Sequence, residues 1–340
     1  LILDVDGDVI VNAAPEIGYT HRGIEKLAEN RTCFQIVPLA ERLCTADAMN
    51  MALVYATTLE ELMDATPPER AQFIRTALCE LGRIASHLYW LSLFTISAGL
   101  PTVLMWAIAD REIVLDLLEL ATGGRVTFAH IVPGGVRHDL PEIFREKATE
   151  SLSYLRRRLA YYERMVYKNE VYKRRTIGVG VLSKRDAMRL GAAGPSLRGS
   201  GVKNDIRKDE PYAAYDQIDF RVVVEKEGDC YARAMVRFRE IKESIRIVEG
   251  ILEELPSGPV RVRVPMRLPV GDAYCRVEAA RGELGCYVVS DGKDKPYRVK
   301  FSTPSFRNAF VLPHLLRGVK VADVPVIYQS FDIWPLEMDK

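Results

Sequence analysis

Side chains able to hold metals or carry redox chemistry are present in this chain, but not at the spacings that assemble such sites. Cysteines stand at 33, 44, 79, 230, 275 and 286, with no Cys-x-x-Cys pair among them. That scatter argues against a local zinc or iron–sulfur site and against a disulfide scaffold, and reads as six reduced thiols. Cys44 taken alone reads as a plain buried cysteine. The glycine-rich segment Gly194–Gly201 lacks the G-x-x-x-x-G-K-[ST] spacing of a phosphate loop, and G-x-G-x-x-G is absent. Close backbone packing is the expected use of those glycines, and the chain itself is expected to bind no nicotinamide cofactor. With 47 Lys and Arg against 46 Asp and Glu, the net charge of +1 gives no pull toward nucleic acid. The remaining candidate is Ala280-Arg281-Gly282-Glu283-Leu284-Gly285, which reads as the turn of a β-hairpin with small and polar residues at its base.

These groups need elements to position them, and 340 residues with 48% apolar composition suffice for a sizeable core. Residues 1–14 alternate about Asp6-Gly7, a hairpin. A short helix is expected over Arg22–Asn30 and a longer one over Leu39–Ala56. Thr66-Pro67-Pro68-Glu69 opens a strong helix to about Ser97, with Thr66 as its cap. Another runs Thr102–Leu120 and stops at Gly123-Gly124. Between them, Leu88–Ala109 is free of formal charge and long enough to span a bilayer, but Gly99-Leu100-Pro101 breaks it. Two buried helix ends meeting at a corner are the expected form. Pro141 starts a helix to about Lys168. Tyr231–Leu255 carries Phe238, Ile241, Ile245, Val248 and Leu252 at helical intervals. From Val260 strands dominate: Arg261–Val264, Tyr274–Ser290, Tyr297–Phe301 and a short apolar strand Val324–Tyr328, with a helix from Pro304 to about Leu316. The class is α+β: a central helical bundle with β structure at both ends.

Five segments in this order resemble the 49 kDa, D-type component of the complex I family, including its archaeal members fed by a reduced deazaflavin. They are Gly18-Tyr19-Thr20-His21-Arg22-Gly23-Ile24-Glu25-Lys26, Glu80-Leu81-Gly82-Arg83-Ile84-Ala85-Ser86-His87-Leu88, Gly134-Gly135-Val136-Arg137-His138-Asp139-Leu140-Pro141, Gly194-Pro195-Ser196-Leu197-Arg198-Gly199-Ser200-Gly201-Val202, and the Ala280–Gly285 turn with Ser290-Asp291-Gly292 and Pro296–Lys300. The resemblance implies the fold of NiFe hydrogenase large subunits. Residues 1–20 would form a β-hairpin, 21–259 the helical core and 260–340 an α+β segment closing on it. It implies a peripheral subunit on the cytoplasmic side of the membrane, in a quinone-reducing, ion-translocating complex whose donor is NADH, reduced deazaflavin or ferredoxin. The partners implied are an iron–sulfur subunit of B type, a C-type subunit and a membrane-arm subunit of H type. The chain would hold no cofactor; the 4Fe–4S cluster sits on the partner, and the substrate is a quinone or another lipid-soluble acceptor.

The same resemblance assigns residues. In hydrogenases two Cys-x-x-Cys pairs bind nickel and iron; the matching segments here, Glu41–Asp47 and Ser330–Glu337, retain only Cys44. Arg42 falls where the family places an arginine beside the partner's 4Fe–4S cluster, its structural alternative being a salt bridge. Arg83 and His87 are expected near the same interface, but Arg83 and Arg111 read more readily as internal ion-pair partners and His87 as a satisfied core histidine. The family's cavity tyrosine reads Thr45, which donates a hydrogen bond but is a far poorer acid. Asp139 matches an acid that orients a cavity histidine; as an alternative it caps the helix before Pro141. That histidine belongs to a loop upstream of Leu1, and the start of the chain therefore reads as a truncation. Thr45 also favours a rival, a hydrogenase-like or sulfur-reducing complex without a quinone. A purely structural docking component is the second rival.

Overall fold

The computed structural model describes residues 1–340. Asp6-Gly7 makes the expected turn: Gly7 lies at φ +61, and β1 (Ile2–Asp6) and β2 (Val9–Ala14) pair antiparallel across it. Helix α1 (Ile24–Ala28) follows. Helix α2 (Cys33–Glu41) is opened by Gln35, whose side chain accepts the Thr32 N–H at 3.1 Å. The single helix expected over Leu39–Ala56 does not form. The chain breaks after Glu41, makes one 3₁₀ turn over Thr45–Asp47, and resumes as α3 (Ala48–Leu62). Cys44 and Asp47 sit at φ −142 and −143, outside helical space. Distant partners override the local preference. Asp47 accepts the Ala280 N–H at 2.7 Å, and the Arg42 carbonyl, which a continuous helix would use itself, accepts from Arg22.

Helix α4 (Glu69–Ser97) begins one residue after Pro68, which holds the N-cap position; Thr66 makes no cap. Gly99 at φ +87 turns the chain into α5 (Pro101–Thr122), and Gly123 at φ +82 ends it. The charge-free stretch Leu88–Ala109 is thus a corner between two packed helices. No helix is long and apolar enough to cross a membrane. A two-residue ladder, β3 (Ile131–Val132) with β4 (Gly135–Val136), precedes α6 (Phe144–Tyr162), which continues as a π turn over Glu163–Tyr167. Four short helices follow: α7 (Glu170–Thr176), α8 (Lys184–Arg189), α9 (Gly194–Arg198) and α10 (Ile206–Asp209). Then α11 (Cys230–Glu254), capped by Asp229 on the Ala232 N–H, buries the apolar stripe read from the sequence.

The C-terminal sheet is antiparallel, in the order β5 (Val270–Ala279), β6 (Gly282–Asp291), β7 (Arg298–Ser302). The strand expected over Arg261–Val264 is reduced to one bridge, Arg261 to Gly135. The helix expected from Pro304 is two, α12 (Pro304–Ala309) and α13 (Leu312–Leu316), the second restarted by Pro313. Val324–Tyr328 is not a strand. It lies in α14 (Val324–Phe331), where Val326, Ile327, Ser330 and Phe331 are buried at helical spacing and Pro325 takes the first turn. Helix α15 (Pro335–Asp339) closes the chain. One apolar core runs from Ile10 in β2 through α3, α4 and α11 to Ile333, so helices and sheet share an interior.

The glycines of α9 seat the sheet on the helices. Gly194 lies at φ +60 and Gly282 at φ +127; a Cβ on Gly194 would stand 2.4 Å from the Arg281 carbonyl oxygen, and one on Gly282 2.5 Å from the Gly194 nitrogen. Gly178, at φ +71, has open space around its missing Cβ. Gly194→Ala is therefore expected to cost about 3 kcal/mol or more, because backbone must move. Gly178→Ala should cost only the left-handed penalty of about 1–2 kcal/mol. Urea unfolding of the two variants against wild type measures the difference.

Candidate functional site

The break between α2 and α3 is held open by the Gly18–Arg22 loop and the C-terminal helix. The Asp339 carboxylate accepts the Gly18 N–H (3.0 Å), the Thr20 N–H (2.6 Å) and the Thr20 hydroxyl (2.6 Å), and His21 Nδ1 lies 2.6 Å from the Asp339 carbonyl. Arg22 then reaches both sides, donating to the carbonyls of Arg42 and Leu336. Asp47 is fixed by Asn50 and Ala280, each at 2.7 Å. The result presents Arg42 to solvent, turns Cys44 inward and leaves Thr45 half-buried.

Behind that break stands Arg281, fully buried in the turn between β5 and β6. Its Nε donates to the Asp332 carbonyl (3.0 Å) and its Nη2 to Asp332 Oδ1 (3.1 Å). Nη1 meets Cys44 Sγ at 3.2 Å and Ser86 Oγ at 3.3 Å, and Nε lies 3.8 Å from Glu337 Oε2. The guanidinium also faces the Trp334 ring at 5.4 Å. These contacts join Glu41–Asp47 to Ser330–Glu337, the two segments matched to the hydrogenase thiolate pairs. One thiol and a guanidinium at the centre do not fit a nickel–iron centre, which needs several thiolates and excludes a fixed cation. No group of three or more His, Cys, Asp or Glu side chains is placed to hold a metal ion. Burial pushes the Cys44 thiol well up, so it is a neutral hydrogen-bond partner and not a thiolate.

A second buried network adjoins the end of β5. Arg83 donates to the Glu278 and Ala279 carbonyls at 2.6 and 3.0 Å and pairs with Glu80 at 3.3 Å. Glu80 also accepts from Arg207 (2.9 Å), the Tyr215 hydroxyl (2.5 Å) and the Ser244 hydroxyl (2.5 Å). Burial opposes its ionisation, yet Arg83 and Arg207 outweigh it and bring Glu80 down to about 2. His87 Nε2 lies 3.0 Å from Glu240, which also pairs with Arg198 at 2.8 Å. Burial lowers His87 despite that carboxylate, so the imidazole is neutral near pH 7.

The sequence-derived residues therefore separate. Arg42 and Thr45 share the α2–α3 break. Arg42 bonds only the Pro38 carbonyl, at 2.6 Å, and has no carboxylate partner, so the salt-bridge alternative is not what the structure contains. Arg83 and His87 are buried in the second network and reach no surface. Arg111 lies near Glu112, at 3.7 Å, and over the Tyr89 ring. Asp139 is elsewhere: Arg70 grips it through Nε (3.0 Å) and Nη2 (2.8 Å), and it lines a groove with Phe144 and Leu252 that includes neither Arg42 nor Thr45. Nor does it cap α6, which starts at Phe144; its oxygen accepts the Leu140 N–H. Sequence reasoning missed the roles of Arg281, Asp332 and Glu337. The available signal was an arginine inside an otherwise small and apolar hairpin turn.

It missed Glu41 and His130 as well. Glu41 accepts the Phe128 and Ala129 N–H groups at 2.8 and 2.7 Å and holds Ala129 at φ +45. His130 follows, buried, with neither ring nitrogen hydrogen-bonded.

The model of the family described as "respiratory-chain NADH dehydrogenase, 49 Kd subunit" matches residues 97–267 and 261–340, more than half of the chain. The D subunit of the F420H2 dehydrogenase of Methanosarcina mazei is 44% identical, over 100% of this chain and 93% of its own. The D subunit of the NADH-quinone oxidoreductase of Geobacillus thermodenitrificans is 42% identical over the same shares. Among solved structures, a chain of an archaeal respiratory membrane complex, the membrane-bound sulfane sulfur reductase, superposes with a TM-score of 0.96. It is 38% identical, and the match covers 99% of this chain and 93% of that one.

Glu41 and His130 set opposed pH dependences. Burial raises Glu41 from 4.5 to about 7, so between those values the folded chain holds a proton the unfolded chain has lost, and stability falls as pH rises. Burial lowers His130 from 6.5 to about 4, so in that window the unfolded chain holds the extra proton and stability rises with pH. From pH 4.5 to 6.5 the two slopes cancel, each being at most about 1.4 kcal/mol per pH unit. Urea unfolding across that window should show Glu41→Gln gaining stability with pH and His130→Phe losing it, relative to wild type.

Proposed function

We propose a function on one premise: this chain belongs to the family of the 49 kDa subunit of respiratory-chain NADH dehydrogenase. It serves as the D-type component of a complex I-like oxidoreductase, in the peripheral arm on the cytoplasmic side of the membrane. The face at the α2–α3 break, with Arg42 and Thr45, forms one wall of the acceptor cavity. A B-type iron–sulfur subunit forms the other wall, and subunits of C and H type complete the docking. Electrons pass from the partner's 4Fe–4S cluster to a quinone, and the step drives ion translocation. The chain holds no cofactor of its own.

The observation that carries this reading is Arg281. In a fold of the NiFe hydrogenase large-subunit kind, a guanidinium bound by Asp332, Cys44 and Ser86 occupies the meeting point of the two former thiolate segments. The chain retains surfaces for docking and an acceptor, while its own side chains lack the donor set for a metal catalyst. Arg42, exposed and without an acid partner, offers its positive charge to a neighbouring cluster; a fixed cation there favours the reduced state. Arg83 and His87 act only from the core beneath that face. Thr45 donates a hydrogen bond to an acceptor oxygen but supplies no proton at neutral pH. Asp139, held by Arg70 in a separate groove, has no part in this cavity.

A second reading has a specific basis. Thr45 in place of an acidic tyrosine, together with the similarity to a chain of the sulfane sulfur reductase, fits a sulfur acceptor in the same cavity. Purified complex offered a menaquinone analogue and polysulfide separates the two. Quinone reduction is expected; polysulfide reduction without it supports the second reading. Arg42→Met is expected to leave the complex assembled and lower the cluster's midpoint potential by roughly 40–130 mV, the effect of one charge at roughly 6–12 Å in an effective dielectric of about 20. Redox titration of the cluster's EPR signal checks it. An unshifted potential removes Arg42 from the cluster's surroundings.

A further inference from the structure

We infer that Glu337 is a proton reservoir for the acceptor, storing one proton behind Thr45 and releasing it along the Cys44–Thr45 turn. This rests on the reading above, that an acceptor is reduced beside Thr45. Thr45 cannot itself give up a proton, yet reducing a quinone to a quinol takes two electrons and two protons. Some group near the break must supply the protons promptly.

Glu337 is fully buried in α15. Its Oε1 accepts the Ser305 N–H at 3.1 Å, while its Oε2 has no hydrogen-bond partner. The charged and titratable groups around it are few. Arg281 comes from the β5–β6 turn, Cys44 and Asp47 from the α2–α3 break, and Asp332 from the residue after α14. Asp332 takes the guanidinium directly at 3.1 Å, and Asp47 is satisfied by Asn50 and Ala280. Glu337 is left with the Cys44 thiol and with a guanidinium nitrogen at 3.8 Å, beyond hydrogen-bond reach. A bare carboxylate oxygen in a dry core is costly, which favours the neutral acid at Glu337. The direction of its titration agrees: burial raises it above 4.5, and the cation lowers it by less.

The same arrangement lets the proton leave. Once the O–H bond breaks, the carboxylate stands near Arg281, whose fixed charge holds the anion. The Cys44 thiol lies against that guanidinium and acts on Glu337, and Thr45 is the next residue in the chain. One proton reaches the acceptor oxygen by this route as the cluster's electrons arrive. The second comes from water at the break, and once the product leaves, that water recharges Glu337 back along the same turn.

The test uses the assembled complex carrying Glu337→Gln. Infrared spectra at pH 7 should show a protonated-carboxyl stretch, shifted in D2O, that is present in wild type and absent in the variant. With saturating quinone at pH 8, kcat should fall about tenfold or more with KM unchanged, and the solvent isotope effect should grow. Glu337→Asp keeps the acid but moves it, and should shift the stretch and recover part of kcat; it serves as the test where the amide does not assemble. A stretch that neither variant moves, or a kcat and pH profile unchanged in an active complex, overturns the reservoir alone. A wild-type complex that reduces no quinone overturns the reading of function instead, whatever the stretch does.

Discussion

The structure depends on one buried cation. Arg281 has no route to water, so every donor on its guanidinium must find a protein partner, and those partners come from distant parts of the chain. Cys44 lies 237 positions away, Ser86 195 and Asp332 51. Meeting that demand requires the helix to break at Cys44, places α4 against the sheet turn, and holds Asp332 at φ +55 where the chain leaves α14. The Gly194–Gly282 contact belongs to the same arrangement. It lets two backbones approach without a Cβ between them, so that Arg281, next to Gly282, is aimed into the core and not over its edge.

The chain at the end of β5 ties the Arg281 cage to the Arg83–Arg198–Arg207 network, and Arg83 also acts on Asp47. Arg83 holds the carbonyls of Glu278 and Ala279, while Asp47 holds the N–H of Ala280, the next residue. A shift of the turn by one residue would strip both networks at once, since side-chain direction alternates along a strand. Such mutual dependence is how buried charge specifies a single packing. An apolar core of equal volume can match its stability but would not resist slippage in this way.

What the sequence made legible follows from where the information lies. Helix α11 was readable because its stripe and its cap, Asp229, are local. The Asp6-Gly7 hairpin and the Gly99–Pro101 corner were readable because glycine and proline act on their own backbone. The continuous helix over Leu39–Ala56 failed because Asp47 prefers a partner at 280. The strand over Val324–Tyr328 failed because five apolar residues fit either period, and only burial at Ser330 and Phe331 separates them. Within the site, Arg42 and Thr45 were reachable through family resemblance, since both lie in one short motif. Glu337 and Arg281 were not linked, because nothing local records a pairing across 56 positions. Asp139 stands apart from them: its motif is clear, but its partner Arg70 is 69 residues away and no local signal records that contact.

An arginine at the centre of a site limits what that site can do in a way a metal does not. A metal centre bound by thiolates alters its charge as it turns over, and its ligands must tolerate both states. A guanidinium keeps one charge at every accessible pH and exchanges no electrons. The groups around Arg281 therefore face a constant field, and only proton movement can change the local charge. In this chain that confines the variable part of the site to its acids and its thiol. At the break between α2 and α3 the residues alternate between solvent and that constant field: Arg42 outward, Cys44 inward, and Thr45 between.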